Sequence, residues 1–343
     1  MKIRPFGLDI GTTSIKAVWL SAPKEGLILN AALSSPTPPK GMLSESPQDL
    51  EEMARVIRRI MEEGKITAPY ANVALAENQV YTKVVDMPVL SDKELSSAIY
   101  WEAEQHIPVP LSSITLDWKV LEKPKEAQTE EKMQVLLVGA PTVLLAKYQK
   151  MLKMAGLTIA SMETEILSAI RALVPKESPN SLIAQIGAVN TSLAIIKSGI
   201  PVFVYSIPTG GIAISRAIAA DFGFTTDQAE EYKKAYGVSK ESLGGKIGQT
   251  AQPVLMSIVG EIKKALAFYN EKYKSDASVK QILLSGGTAK LPGVDAFFAE
   301  TTGIETVVAN PWTVLSSQNV AKEIVDNAPD YTIAMGLALR DYE

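Results

Sequence analysis

Two stretches of the chain carry one pattern. Residues 6–34 alternate apolar and polar positions as strands do, with breaks at 11–14 and 22–26. Residues 182–196 repeat it, with an apolar run, Ile186-Gly187, a small polar turn and a second apolar run. Ile10-Gly11 and Ile186-Gly187 correspond, a weak internal duplication that predicts two similar β-hairpins. Between them the period changes. Ser46 as N-cap and Pro47 at the first helical position predict a helix start. Leu50, Met53, Ala54, Ile57, Ile60 and Met61 then recur every three or four positions, and Gly64 ends the run.

From residue 79 the texture differs. Residues 79–86 alternate like a half-exposed strand, and Ser91 with Glu94 forms a capping box that opens a helix to about Gln105. The two prolines of Ile107-Pro108-Val109-Pro110 stop it. Strands are predicted at 114–121 and 133–139, with a charged loop at 123–132 between them. A helix capped by Thr142 follows, with Gly156 just past its end. This strand-helix-strand-strand-helix unit predicts a small α/β domain inserted at 79–156, in which Trp101 is expected to pack rather than stack on a ligand. Beyond it come a strand at 157–162, a helix at 164–173 and a linker at 176–180. The second half adds a turn at Thr209-Gly210-Gly211, a helix capped by Thr226, a long helix at about 250–272, a strand running into Ser285-Gly286-Gly287-Thr288, and a closing helix at about 329–340.

Composition narrows the function. A length of 343 residues suggests roughly two domains. The 34 Lys+Arg against 38 Asp+Glu leave a net charge of −4, so there is no basic footprint for nucleic acid. The chain has no cysteine, which excludes disulfides and Cys-ligated zinc and fits a reducing compartment. A single histidine, His106, argues against a His-clustered metal site or a Ser-His-Asp triad. No signal peptide and no apolar run of about 18 residues is visible, so a cytoplasmic protein is expected, with membrane association only through a partner.

The tip of the first hairpin brings together Asp9, Gly11, Thr12, Thr13 and Lys16. Gly11 lets the backbone approach an anion whose oxygens the tip N–H groups can bind. Asp9 can hold a water of a bound Mg²⁺, and Lys16 adds a point charge. An ordinary hairpin turn is the alternative for this segment alone. Two such hairpins facing each other can clamp a polyphosphate.

Five elements stand in order: the first hairpin, a helix with Glu165, the second hairpin, Leu283-Leu284-Ser285-Gly286-Gly287-Thr288, and Ala334-Met335-Gly336-Leu337-Ala338. That order resembles the actin/Hsp70/sugar-kinase superfamily. Within it, the run from Trp101 to Leu111 (WEAEQHIPVPL), Thr115 to Trp118, Asn310-Pro311-Trp312 and Ala334 to Leu339 are similar to the PilM family of type IV pilus assembly proteins, relatives of FtsA. The resemblance implies an α/β, actin/Hsp70-like (ribonuclease H-like) two-lobed fold with an inserted small α/β subdomain of the FtsA/PilM (SHS2-like) type. The first lobe would be 1–78 plus 157–178, the insertion 79–156 and the second lobe 179–343.

The same resemblance implies a site for ATP or ADP with Mg²⁺. Asp9, Gly11, Thr12, Thr13 and Lys16 would form one phosphate loop, and Gly187, Ala188, Val189, Asn190 and Thr191 the other. Glu230 and Lys233 would bracket ribose and adenine, which would lie against Gly286, Gly287 and Thr288. Glu165 would orient an attacking water, with Glu163 a competitor that sequence does not separate from it. The chain departs from the superfamily at Gln185, where aspartate is usual. An amide supplies no charge for Mg²⁺, so binding survives more easily than hydrolysis and a slow ATPase is the most expected. The implied partner is the cytoplasmic tail of a PilN-like membrane protein, alongside other pilus inner-membrane components, with self-association left open. The implied location is cytoplasmic and peripheral to the inner membrane. The alternatives are a sugar- or acetate-type kinase, for which no second acidic motif is seen, and an FtsA-like filament protein, for which no amphipathic tail is seen.

Overall fold

The alternation of residues 6–34 appears as β1 (Phe6–Ile10), β2 (Ser14–Ser21) and β3 (Ile28–Pro36), an antiparallel meander. The structure is a computed structural model that describes residues 4–23, 26–124, 132–175, 177–239, 245–273, 278–316 and 320–342. Strands β4 (Tyr70–Leu75) and β8 (Thr158–Thr164) join in parallel to give the order β3-β2-β1-β4-β8. Helix α1 (Pro47–Glu63) covers this sheet with Leu50, Met53, Ala54, Ile57 and Ile60, the stripe the spacing predicts.

The chain between β4 and β8 makes β5 (Tyr81–Pro88), α2 (Asp92–His106), β6 (Ile114–Glu122), β7 (Lys132–Pro141) and α3 (Thr142–Met154). The strands form a separate antiparallel sheet, β5-β7-β6. The Ser91–Glu94 capping box is present, and α2 lays Leu95, Ile99 and Ala103 on the sheet. Residues 125–131 of the expected charged loop lie outside the described residues. Trp101 does not pack: it is 72% exposed, because half a helical turn separates it from the buried stripe of 95, 99 and 103. Helix α3 turns Tyr148, Met151 and Leu152 away from this small sheet and into the core beneath α1. Pro141, not Thr142, holds its N-cap position, and Thr142 is its first helical residue.

The second half repeats the first sheet. Strands β9 (Ser181–Ile186), β10 (Thr191–Lys197) and β11 (Ile200–Ile207) form a meander, joined in parallel by β12 (Gln281–Ser285) and β13 (Glu305–Val308). The order β11-β10-β9-β12-β13 matches that of the first sheet strand for strand. Helices α5 (Gly211–Phe222), α6 (Thr226–Tyr236), α7 (Lys246–Tyr273) and α8 (Val294–Thr302) build its core. The cap of α6 is Thr225 rather than Thr226, since Thr225 and Gln228 form the reciprocal box.

Helices α4 (Glu165–Leu173) and α10 (Thr332–Leu339), the latter following the short α9 (Lys322–Asp326), lie between the two large sheets. Ile166, Ala169, Ile333 and Leu337 pack against Ala74 of the first sheet and Ile183, Ala194 and Leu283 of the second. The two helices touch backbone to backbone, since a Cβ on Gly336 would fall 1.8 Å from the Ser168 carbonyl. Although α10 comes last in sequence, it also packs against β1 and β2 of the first sheet.

Candidate functional site

The first hairpin tip is closed by the Gly11 N–H donating to the Ser14 carbonyl (3.1 Å). Thr37, just past β3, braces it: its hydroxyl donates to the Gly11 carbonyl (2.7 Å) and its N–H to that of Thr13 (3.1 Å). The side chains of Thr12 and Thr13 stay exposed. Strand register sets Asp9 opposite Lys16, and their charges sit 3.7 Å apart, both largely buried. Burial raises the Asp9 pKa above the ordinary carboxylate value, Lys16 opposes the rise, and the nearby charge of Asp330 adds to it.

Glu165 opens α4 within electrostatic reach of this pair. Burial, then the charges of Asp9 and Glu77, push its pKa up to about 8, against a hydrogen bond from the Glu77 N–H and the charge of Lys16. Glu163 is placed differently. It is buried on β8, where Arg171 grips both its oxygens, Arg340 binds one and the Ser168 hydroxyl donates to the other at 2.8 Å. Every oxygen of Glu163 is thus occupied, and Arg171 also reaches the Gly336 carbonyl (3.0 Å). Glu163 ties α4 to α10, while Glu165 faces the hairpin.

The second hairpin tip closes in the same way, with the Gly187 N–H on the Asn190 carbonyl (2.9 Å). The start of α5 docks onto it: Gly211 N–H donates to the Gly187 carbonyl and Ile212 N–H to that of Ala188, each at 2.9 Å. The Thr191 hydroxyl donates to the Thr209 carbonyl (2.7 Å), and Val189 projects outward. Lys233 is only 6% exposed, and its ammonium donates to Glu230 Oε2 (2.6 Å), Ser215 Oγ (3.0 Å) and the Gly211 carbonyl (3.2 Å). Glu230 also accepts from the Ser215 hydroxyl (2.6 Å). These interactions hold its pKa below the ordinary value despite burial.

The turn after β12 meets the same wall. A Cβ on Gly211 would stand 2.7 Å from Thr288 Oγ1 and 3.4 Å from Lys233 Nζ, so α5, α6 and this turn converge there. Gly286 has a φ of +82° and passes so close to β9 that a Cβ would lie 2.5 Å from the Ile186 carbonyl, which is why only glycine serves. A Cβ on Gly287 would lie 3.5 Å from Asp330 Oδ1, and Asp330 pairs with Lys290 at 2.5 Å. Asp330 in turn is felt by Asp9. The contacts therefore run from the second hairpin through Thr288, Gly286 and Gly287 to Asp330. Gln185, the last residue but one of β9, lies beside this path, with its Oε1 buried and without a hydrogen-bond partner.

Among the described residues, no group of three or more acidic, histidine or cysteine side chains could hold a metal ion by itself. Among them also, no helix is long and apolar enough to cross a membrane. Sequence reasoning missed Glu77, Asp330 and the arginine clamp on Glu163. The only signal for Glu77 was an acid directly behind the buried strand β4. Asp330 and Arg340 sit in the closing helical segment, which reads as plain packing.

Two sheets of matching strand order, each opening with a glycine-tipped hairpin, and a small α/β unit inserted in the first half give an actin-like two-lobed fold. The chain belongs to the type IV pilus assembly protein PilM family, whose model matches residues 7–342. It is similar to a chain of the solved PilM-PilN type IV pilus biogenesis complex, at 27% identity and a TM-score of 0.86 over 100% of both chains. It is 23% identical to the cell division protein FtsA of Bacillus subtilis (strain 168), over 89% of this chain and 78% of that protein. MreB5 of Spiroplasma citri bound to ADP shares the fold at 14% identity and a TM-score of 0.53, over 98% of this chain and 95% of that one.

Proposed function

We propose that the chain is a nucleotide-loaded adaptor of the type IV pilus inner-membrane platform, which binds the N-terminal tail of a PilN-like protein in a manner set by lobe closure. The observation that carries this reading is the end-to-end likeness, at 27% identity, to a chain of the PilM-PilN complex. Its place would be the cytoplasmic face of the membrane, reached through that partner. The unit that moves as one body would be the three-stranded sheet with α2, because α3 shares the core of the first lobe.

The residues fit ATP or ADP. Gly11 and Gly187 leave bare tips for the phosphates, with Thr12, Thr13, Ala188, Val189, Asn190 and Thr191 around them and Lys16 as a nearby charge. Gly286, Gly287 and Thr288 offer bare backbone and a hydroxyl to base and ribose. Lys233 spends all three donors on protein oxygens, so its task is to hold Glu230 and the Gly211 turn against the sugar. Mg²⁺ would bind through the phosphates and waters, one of them held by Asp9, and would neutralise phosphate charge. The orphaned Oε1 of Gln185 is an acceptor suited to such a water. Glu165, with its pKa near 8, keeps its proton at neutral pH and orients a water rather than deprotonating it. Together with the uncharged Gln185, this favours slow turnover.

The test is a calorimetric titration of a PilN-type N-terminal peptide, with and without Mg-ATP. The expected outcome is a peptide affinity that ATP changes by roughly 5- to 150-fold. No peptide binding in either condition would remove the adaptor reading, and equal affinity in both would remove its nucleotide control.

A further inference from the structure

We propose that the outward face of α2 is a self-docking surface, on which a second copy of this chain packs its own α2 in antiparallel fashion about a twofold axis. The proposal stands apart from the nucleotide and tail readings above. Helix α2 lays one stripe on the inserted sheet and turns the opposite one to solvent. On that outer side Trp101 is 72% exposed, and its neighbour Tyr100 is 50% exposed. Next to Trp101 runs an open groove of about 620 Å³, lined also by Leu90, Lys93, Glu94, Ser97 and Ala98. A scattered apolar residue on a surface needs no explanation, but a bare tryptophan beside a groove has the composition of an interface centre.

The charges of the face indicate what covers it. Lys93 lies in the first turn of α2 and Glu104 in the last, each the wrong sign for the helix dipole. Among the described residues, neither makes a hydrogen bond or an ion pair. Helix stability therefore explains neither charge. The two stand about three turns apart on one edge of the face, with Ser97 between them and Trp101 toward the other edge.

An antiparallel mate, with the twofold axis at the level between Ala98 and Ile99, sets Lys93 of each copy beside Glu104 of the other. One operation thus makes two opposite-charge pairs. Helical side chains lean toward their own N-terminus, so each Trp101 comes to lie over Ser97 and Ala98 of the other copy, where small residues leave room. The same face carries knob and groove, and both charges, at the spacing one twofold requires. An anionic membrane would instead meet the exposed carboxylates of Asp92, Glu94 and Glu104. A single pair of helix faces falls at the low end of interface sizes, below about 1,200 Å², so the association is weak and concentration-dependent.

The test is sedimentation equilibrium of the full chain from about 1 μM to about 1 mM. Wild type is expected to pass from monomer to dimer over that range. Trp101→Ala, a change at an exposed side chain, is expected to weaken the dimer about tenfold or more. Lys93→Glu and Glu104→Lys each set like charges across the pair and are expected to weaken it, and the double variant Lys93→Glu/Glu104→Lys to restore it. Both substitutions suit the helix dipole, so a dimer lost in the single variants is not lost through fraying of α2. A wild type that stays monomeric overturns the proposal, and if phosphatidylcholine vesicles then pellet wild type but not Trp101→Ala, the face belongs to a lipid surface. A dimer indifferent to Trp101→Ala overturns the placement on α2. A double variant as weak as the single ones overturns the antiparallel register.

Discussion

Glu163 and Glu165 stand two residues apart, and their surroundings give them separate tasks. Glu163 is clamped by two arginines and a serine, whereas Glu165 is half-buried near other acids. Removing one side of a buried ion network leaves the other charges uncompensated, so Glu163→Gln is expected to cost about 3 kcal/mol in chemical denaturation. Glu165 makes the opposite statement through pH. Its pKa is raised in the folded state from 4.5 to about 8, so the stability it contributes is complete below 4.5 and lost as pH climbs through about 8. Thermal melts are expected to show a falling Tm across that window, and Glu165→Gln to flatten the fall. The hairpin tips were legible because a glycine between two apolar runs leaves few alternatives. The choice between Glu163 and Glu165 was not, because it depends on Arg340, far away in sequence.

At the level of elements, local signals were read well where they are self-contained, as with the Ser91–Glu94 capping box and the apolar stripe of α1. They failed where a neighbour decides. Thr226 looked like a cap until Gln228 paired with Thr225, and α3 looked like part of the insertion until Tyr148 turned toward α1. The pair of helices between the lobes depends on contact without side chains. Gly336→Ala would drive a methyl into the Ser168 carbonyl and is expected to cost about 3 kcal/mol or to prevent folding, as measured by denaturation. The inserted sheet is latched to the second lobe at the end of α7. Lys272 pairs with Asp86 at 2.6 Å, and Gln134 donates to the Tyr273 hydroxyl at 2.7 Å and to Asp86 at 3.1 Å. Lys197 adds its charge over the Tyr273 ring, 4.8 Å from the centroid. The double variant Lys272→Ala/Tyr273→Phe is expected to speed amide exchange in β5 and β7 while leaving the large sheets unchanged. Equal exchange in β5 and β7 would show that the latch holds nothing.

At the scale of the molecule, the repeated strand order explains why two weak motifs matter together. Each sheet carries a glycine-tipped hairpin at the same place in its strand order, and α4 and α10 pack between the two sheets. Binding between two halves is an equilibrium device: a ligand that bridges both tips favours the closed arrangement by its differential affinity and no more. The inserted sheet, bonded to the second lobe through α7 and continuous with the first through β5, is placed to register that closure. The overall architecture and the duplication were visible in the chain, whereas the latch between insertion and second lobe was not, since Asp86 and Lys272 carry no motif.

The most direct test of a nucleotide gripped by both lobes is calorimetric titration of Mg-ATP into wild type, Gly11→Val and Gly187→Val, with melting curves to confirm that each variant folds. Wild type is expected to bind, and each valine, blocking one tip, to abolish binding on its own. Wild-type affinity in either folded variant would remove that hairpin from the site and contradict the account.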